Sequence, residues 1–236
     1  MSLRIALVTG AARGMGRAIA LRLAEDVSGV AVHYLASRDE ALDLAAELKE
    51  KGKLAAVFRA DLTKKAQAAG LVKKVEERFG RLDVLVNNVG TFLVKPWDQL
   101  EVADWEKVLR GNLLGSYFCM KAAVPGMRKR KWGRIVNIGY SRAEHIGAFP
   151  TIVPYAVAKT GLLTLTKTAA AAEVANGITV NMVSPGLIRG GVLPKSAAEA
   201  QLGTAEDVAE AVAWCASDRA AGTTGANLVV AGTWKM

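Results

Sequence analysis

Only two cysteines, Cys119 and Cys215, and two histidines, His33 and His145, occur in the 236 residues. Neither cysteine sits in a CxxC or a Cys/His cluster, which argues against a disulfide framework and points to two thiols in a core. The histidines stand far apart, so no metal-ligand set is expected. No apolar run approaches the roughly 18 residues that a membrane span requires. The opening stretch MSLRIALVTGAARG shows no long apolar core ahead of a small-residue cleavage site, and a cytoplasmic protein is expected. Linkers, internal repeats and low-complexity segments are also missing. One domain over residues 1–236 is therefore expected.

What is present is an ordinary globular composition, 51% hydrophobic and 22% charged, with a net charge of +9. Phosphate-backbone binding needs clustered Lys and Arg. The one dense cluster is MRKRKWGR, residues 127–134, and elsewhere basic residues alternate with acidic ones. A solvated basic face accounts for this pattern, and no nucleic-acid or membrane partner is expected. A positive field also suits an anionic cofactor or substrate.

Short apolar runs alternate with amphipathic segments along the whole chain. Strands are predicted at RIALVT, VAVHYL, LAAVFRADLT, LDVLVNNVG, GRIVNIG, GITVNMVSPG and NLVVAG. Helices are predicted over 14–27, 38–52, 67–80, 98–110, 113–131, 155–174 and 204–217, with a break near Gly111. Thr204 is the N-cap of the last, with Asp207 completing a capping box. Strands that are apolar throughout are buried on both faces. The expectation is an α/β fold, a doubly wound Rossmann-type domain with a seven-stranded parallel sheet.

The turn after the first strand, TGAARGMG, carries Gly10, Gly14 and Gly16 with Arg13 and Met15 between them. Glycines permit a tight turn and close approach of a pyrophosphate, and the following helix presents free N–H groups and its positive dipole end. NAD-specific sites place a carboxylate after the second strand. Here that position reads LASR, so Ser37 and Arg38, with Arg13, are set to take a 2′-phosphate. NADP(H) is expected ahead of NAD(H).

With these pieces in place the chain resembles the short-chain dehydrogenase/reductase family over nearly its whole length. TGAARGMG resembles the family's cofactor turn. ADLT, with Asp61 and Leu62, resembles the adenine-contacting segment. NNVG, with Asn88 and Gly90, resembles its NNAG. Asn112 resembles the helix asparagine of the proton relay. YAVAK, with Tyr155 and Lys159, resembles the YxxxK active site, and SPGLI, with Pro185, Gly186 and Ile188, resembles the segment beside the nicotinamide. The resemblance implies carbonyl reduction by hydride transfer, with Tyr155 as general acid/base and Lys159 binding the nicotinamide ribose. Residues i and i+4 share a helix face. A nearby ammonium and an oxidised nicotinamide would lower the tyrosine from its ordinary value of about 10.

The chain also departs from the family pattern. The family's serine after the fifth strand is replaced by Tyr140, with Ser141 next. Ser141 is placed first for that role and Tyr140 second, either offering a hydroxyl to the developing oxyanion. Gly190 stands where a cofactor-contacting threonine is common. Residues 189–203 form a short substrate lid, and the C-terminus lacks the usual Asp-Gly-Gly. The motif set resembles 3-oxoacyl-[acyl-carrier-protein] reductases, which implies a small-molecule carbonyl substrate and an acyl carrier protein meeting the RKRK cluster. Ala172 stands where many of those enzymes carry a basic carrier-docking residue. A pteridine reductase and a non-catalytic NADP(H) sensor or scaffold stand as alternatives. Association into a homo-oligomer, a tetramer or dimer, is expected through helices 98–131 and 153–174.

Overall fold

The computed structural model describes residues 3–191 and 202–232. Seven strands, β1 (Ile5–Val8), β2 (Gly29–Tyr34), β3 (Leu54–Arg59), β4 (Val84–Asn87), β5 (Gly133–Ile138), β6 (Ile178–Pro185) and β7 (Asn227–Val230), form one sheet. Its order is β3-β2-β1-β4-β5-β6-β7 and every pairing is parallel. The helices are α1 (Gly14–Asp26), α2 (Arg38–Glu50), α3 (Lys65–Phe79), α4 (Val102–Leu109), α5 (Gly115–Arg130), α6 (Val153–Glu173) and α7 (Ala205–Ala216).

Successive strand residues point to opposite faces. Ala6 and Val8 join Ile19, Leu23, Leu44 and Val212 in a core under α1, α2 and α7. Ile5 and Leu7 join Leu71, Val75, Met120 and Met127 in a second core under α3, α5 and α6. Both faces of each inner strand are covered, which is why the strands read as unbroken apolar runs. Cys119 and Cys215 are free, buried in opposite cores, and burial pushes both thiols up to about 12.

The predicted break near Gly111 is corrected by the structure. Arg110–Leu114 form a π turn that carries α4 into α5 with helical backbone on both sides. A π turn disturbs the i→i−4 ladder. Asn112 repairs it, its side-chain amide donating to Val108 O at 3.0 Å and to Thr91 O at 2.8 Å. The Thr204–Asp207 capping box forms as predicted, with reciprocal bonds of 3.1 and 2.8 Å.

The chain reverses its direction of winding between β1 and β4, the two strands that flank the switch point. In such sheets a crevice opens beyond the carboxyl ends of the strands. The loops after β1, β4, β5 and β6 all end there.

Candidate active site

The glycine turn leaves β1 at Thr9. Gly10 and Gly14 adopt positive φ, +63° and +55°. Gly16 is needed for space: a Cβ there would lie 2.2 Å from Gly10 O and 2.7 Å from Asn88 Nδ2. Asn88 braces the turn from β4, donating to Thr9 O at 2.8 Å and Gly10 O at 3.3 Å. The turn is also held from β2, by a residue given no site role in the sequence. Gly10 N–H donates to His33 Nδ1 at 2.9 Å, and His33 Nε2 meets Ala60 O at 3.0 Å. These partners require the neutral Nε2–H tautomer. Burial pulls His33 below its ordinary value and keeps it neutral. The only signal in the sequence is a lone polar residue inside an otherwise apolar strand.

Arg13 and Arg38 are exposed where β1 and β2 end. The Arg38 guanidinium has only a loose contact, 3.8 Å, with the exposed Asp39 carboxylate. Ser37 precedes α2 and makes no side-chain capping bond. Asp61 closes the turn after β3, accepting from Thr63 N–H at 3.0 Å and from Thr63 Oγ1 at 2.6 Å. Those bonds hold its carboxyl below the usual range. Leu62 is buried beneath this turn, its carbonyl against Gly115.

Beside the turn lies a cleft of about 590 Å³. It gathers most of the remaining expected residues: Met15, Asn88, Gly90, Asn112, Tyr155, Lys159, Pro185, Gly186 and Ile188. Tyr155 and Lys159 lie one turn apart at the start of α6, with Pro154 in its first turn. Lys159 Nζ donates to Ile138 O at 2.6 Å and sits 5.6 Å from the Tyr155 ring centroid. Burial draws Lys159 down to about 8. Burial, and then the neighbouring Tyr140 phenol, push Tyr155 above its ordinary value rather than below it. The expected lowering belongs to the state in which an oxidised nicotinamide lies beside the ring; the protein's own groups favour the neutral phenol. Burial thus favours the neutral form of each side chain.

Asn112 is buried beside this pair, and its Oδ1 has no hydrogen-bond partner among the described residues. A Cβ on Gly90 would lie 2.5 Å from that oxygen. Gly186 packs closely on β7, where a Cβ would meet Ala231 Cα at 2.8 Å, and so seats Leu187 and Ile188 in the cleft wall. The cradle of glycines at the turn and the open acceptor near Lys159 fit a dinucleotide lying across the switch point.

The placement of the two candidate hydroxyls is unequal. Tyr140 lines the cleft, and Ser141 is not among the residues that do. The Tyr155 ring is flanked by Phe92 at 4.9 Å and 90°, and by Tyr140 at 5.5 Å and 66°. Two loops that wall the cleft are strapped together, Lys95 N–H to Thr151 O at 2.7 Å and Trp97 N–H to Pro150 O at 2.9 Å. Gly190 adopts φ +81°, a conformation that disfavours the threonine common there. Most of the expected lid, 189–203, lies outside the described residues. Its two ends meet at Ile188 and Gly203, with Arg189 N–H donating to Gly203 O at 2.9 Å.

The RKRK cluster precedes β5, at the amino end of the strands, opposite the cleft. Arg128 is paired with Glu173, and Arg130 with the buried Asp83 at 3.3 Å. These arginines tie the structure together, and the cluster lies away from this chain's own cleft.

A seven-stranded parallel sheet with Tyr155 and Lys159 at its switch point defines a dinucleotide-dependent oxidoreductase, and the chain belongs to the short-chain dehydrogenase/reductase family. A family model described as enoyl-(acyl carrier protein) reductase matches residues 10–233. The chain is 36% identical over 240 residues to the 3-oxoacyl-[acyl-carrier-protein] reductase of Staphylococcus aureus, covering 96% of each. It is also 36% identical to the (2S)-[(R)-hydroxy(phenyl)methyl]succinyl-CoA dehydrogenase subunit BbsD of Thauera aromatica, covering 97% of this chain and 95% of that one. Among solved structures, a blue fluorescent protein from a metagenomic library, in complex with NADPH, superposes with a TM-score of 0.89 at 33% identity, over 99% of this chain and 98% of that one.

Proposed function

We propose that the protein is an NADPH-dependent reductase that converts a carbonyl to an alcohol, with a 3-oxoacyl thioester as the first substrate class. The observation that carries this is the pairing of a half-buried Tyr155 with a buried Lys159, one helical turn apart, in the wall of an apolar cleft. Gly10, Arg13, Gly14, Met15 and Gly16 would hold the pyrophosphate, and Ser37 and Arg38 the 2′-phosphate. Asp61 and Leu62 would border the adenine. Asn88, Gly90, Pro185, Gly186 and Ile188 would flank the nicotinamide, with Lys159 on its ribose. When bound, the dinucleotide supplies hydride to the carbonyl carbon.

The chain's own part is proton management. Tyr155 holds a proton at Oη and passes it to the carbonyl oxygen as that oxygen gains charge. The Lys159 ammonium stabilises the phenolate that remains. Asn112 Oδ1, an acceptor with no partner among the described residues, can take a hydrogen bond from a water that returns the proton. Phe92, Val94, Ile152 and Leu187 give the substrate an apolar seat.

The named activity of the Staphylococcus aureus relative and the NADPH complex of the structural neighbour support this reading. The test is NADPH oxidation against an acetoacetyl thioester, an aryl ketone thioester, a quinoid dihydropteridine, a diketone and an aldose. Turnover of one carbonyl is expected, reduced at least about 100-fold in Tyr155→Phe with NADPH binding retained. NADPH binding without turnover of any carbonyl would favour the sensor.

A further inference from the structure

We propose that Tyr140 supplies the second hydroxyl donor to the substrate's carbonyl oxygen, and that Arg142, seated on Phe149, is the positioning residue for that phenol. This deepens the reductase reading and rests on it.

The backbone decides between Tyr140 and Ser141. β5 ends at Ile138, but its pairing with β6 continues. Gly139 N–H donates to Val183 O at 2.8 Å and Ser141 N–H to Pro185 O at 3.0 Å. Gly139 is locked against β6, since a Cβ would lie 2.3 Å from Ser184 Oγ and 2.5 Å from Met182 Sδ. Ser141 then opens a turn closed by Ala143 N–H, which donates to Tyr140 O at 2.8 Å. Tyr140 lines the cleft and Ser141 does not. Bringing Ser141 round would require a one-residue slip of a segment held at both ends.

The Tyr140 ring stands edge to face with Tyr155, centroids 5.5 Å apart, and meets Phe149 at 6.4 Å. The Arg142 guanidinium lies over the other member of that second pair, 4.9 Å from the Phe149 centroid. Among the described residues Arg142 has no carboxylate partner, and the nearby Glu144 is drawn off to Lys167 at 3.5 Å. A positive charge is thus left beside the Tyr140 phenol. Burial raises that phenol and the Arg142 charge acts against the rise. Arg142 and Tyr140 thus meet through the Phe149 ring against which both pack. The phenol stays protonated in the neutral range, as a donor to an oxyanion must be. No extra reactant is needed, because Tyr140 donates a hydrogen bond and transfers no proton.

The experiment is steady-state reduction of the best carbonyl by full-length Tyr140→Phe, Tyr140→Ser, Ser141→Ala, Arg142→Gln and Arg142→Lys. Tyrosinate absorbance is titrated alongside on the same proteins. Tyr140→Phe should lower kcat about 100-fold with KM nearly unchanged, the pattern of a contact made in the transition state. Tyr140→Ser should recover about tenfold of that loss. Arg142→Gln should raise the midpoint of the phenol that Tyr140→Phe removes from the titration, and Arg142→Lys should restore it. Wild-type turnover left intact by Tyr140→Phe, or lost in Ser141→Ala instead, overturns this assignment and leaves the reductase reading standing. Wild-type protein that turns over no carbonyl overturns both. An Arg142→Gln titration identical to wild type overturns the role given to Arg142.

Discussion

His33 holds a place in β2 that apolar patterning would give to valine or isoleucine, and its two ring nitrogens are both used. It accepts from Gly10 N–H and is bonded to Ala60 O, which only the neutral ring can do. Burial lowers its affinity for a proton below the ordinary value of 6.5. The unfolded chain therefore takes up the proton first as pH falls. Stability is fully present above about 6.5 and declines as pH drops from there toward the lower folded value. Urea midpoints at about pH 7.5 and about 5.5 should differ more in wild type than in His33→Asn. Equal pH dependence in the two proteins would remove His33 from this account. Tyr155 and Lys159 were legible in the sequence because their spacing and their helix are local properties. The direction in which their surroundings shift them was not, because Phe92, Tyr140 and the strand carbonyl of Ile138 come from distant parts of the chain.

At the scale of elements, two glycines of one turn separate two kinds of constraint. Gly14 has positive φ and no atom within 4 Å of a built Cβ. Gly14→Ala should cost about 1–2 kcal/mol through backbone strain alone, with NADPH binding weakened but measurable. Gly16 has no such φ, yet its Cβ would strike Gly10 O and Asn88. Gly16→Ala should displace the turn and abolish NADPH binding, read by cofactor fluorescence alongside the urea midpoint. Similar losses in both variants would contradict the distinction. The strands and the α7 cap were legible because apolar runs and Thr204-x-x-Asp207 act locally. The π turn was not. Gly111 reads as a helix breaker, whereas the side chain of Asn112 supplies the bonds that keep the helix going. That Tyr140 and not Ser141 lines the cleft was also hidden, because the path of the chain beyond β5 depends on its pairing with β6.

The whole molecule separates its two ends. The amino ends of the strands carry the buried Asp83, which accepts from Ile5 N–H at 2.9 Å and from Arg81 Nε at 2.7 Å, together with Arg130 and the rest of the basic cluster. The carboxyl ends carry the glycine turn, the exposed Arg13 and Arg38, and the aromatic cleft. Net charge alone could not show this division, since the same +9 would result from any placement of the basic residues. The division is what makes the cleft the centre of the chemistry, and the most direct measurement follows hydrogen from cofactor to substrate. NADPH deuterated at the transferring position should leave one deuterium on the former carbonyl carbon for each NADP formed, with the alcohol proton coming from solvent. NADPH consumed with no deuterium on that carbon, or bound and never consumed, would contradict hydride transfer in this cleft.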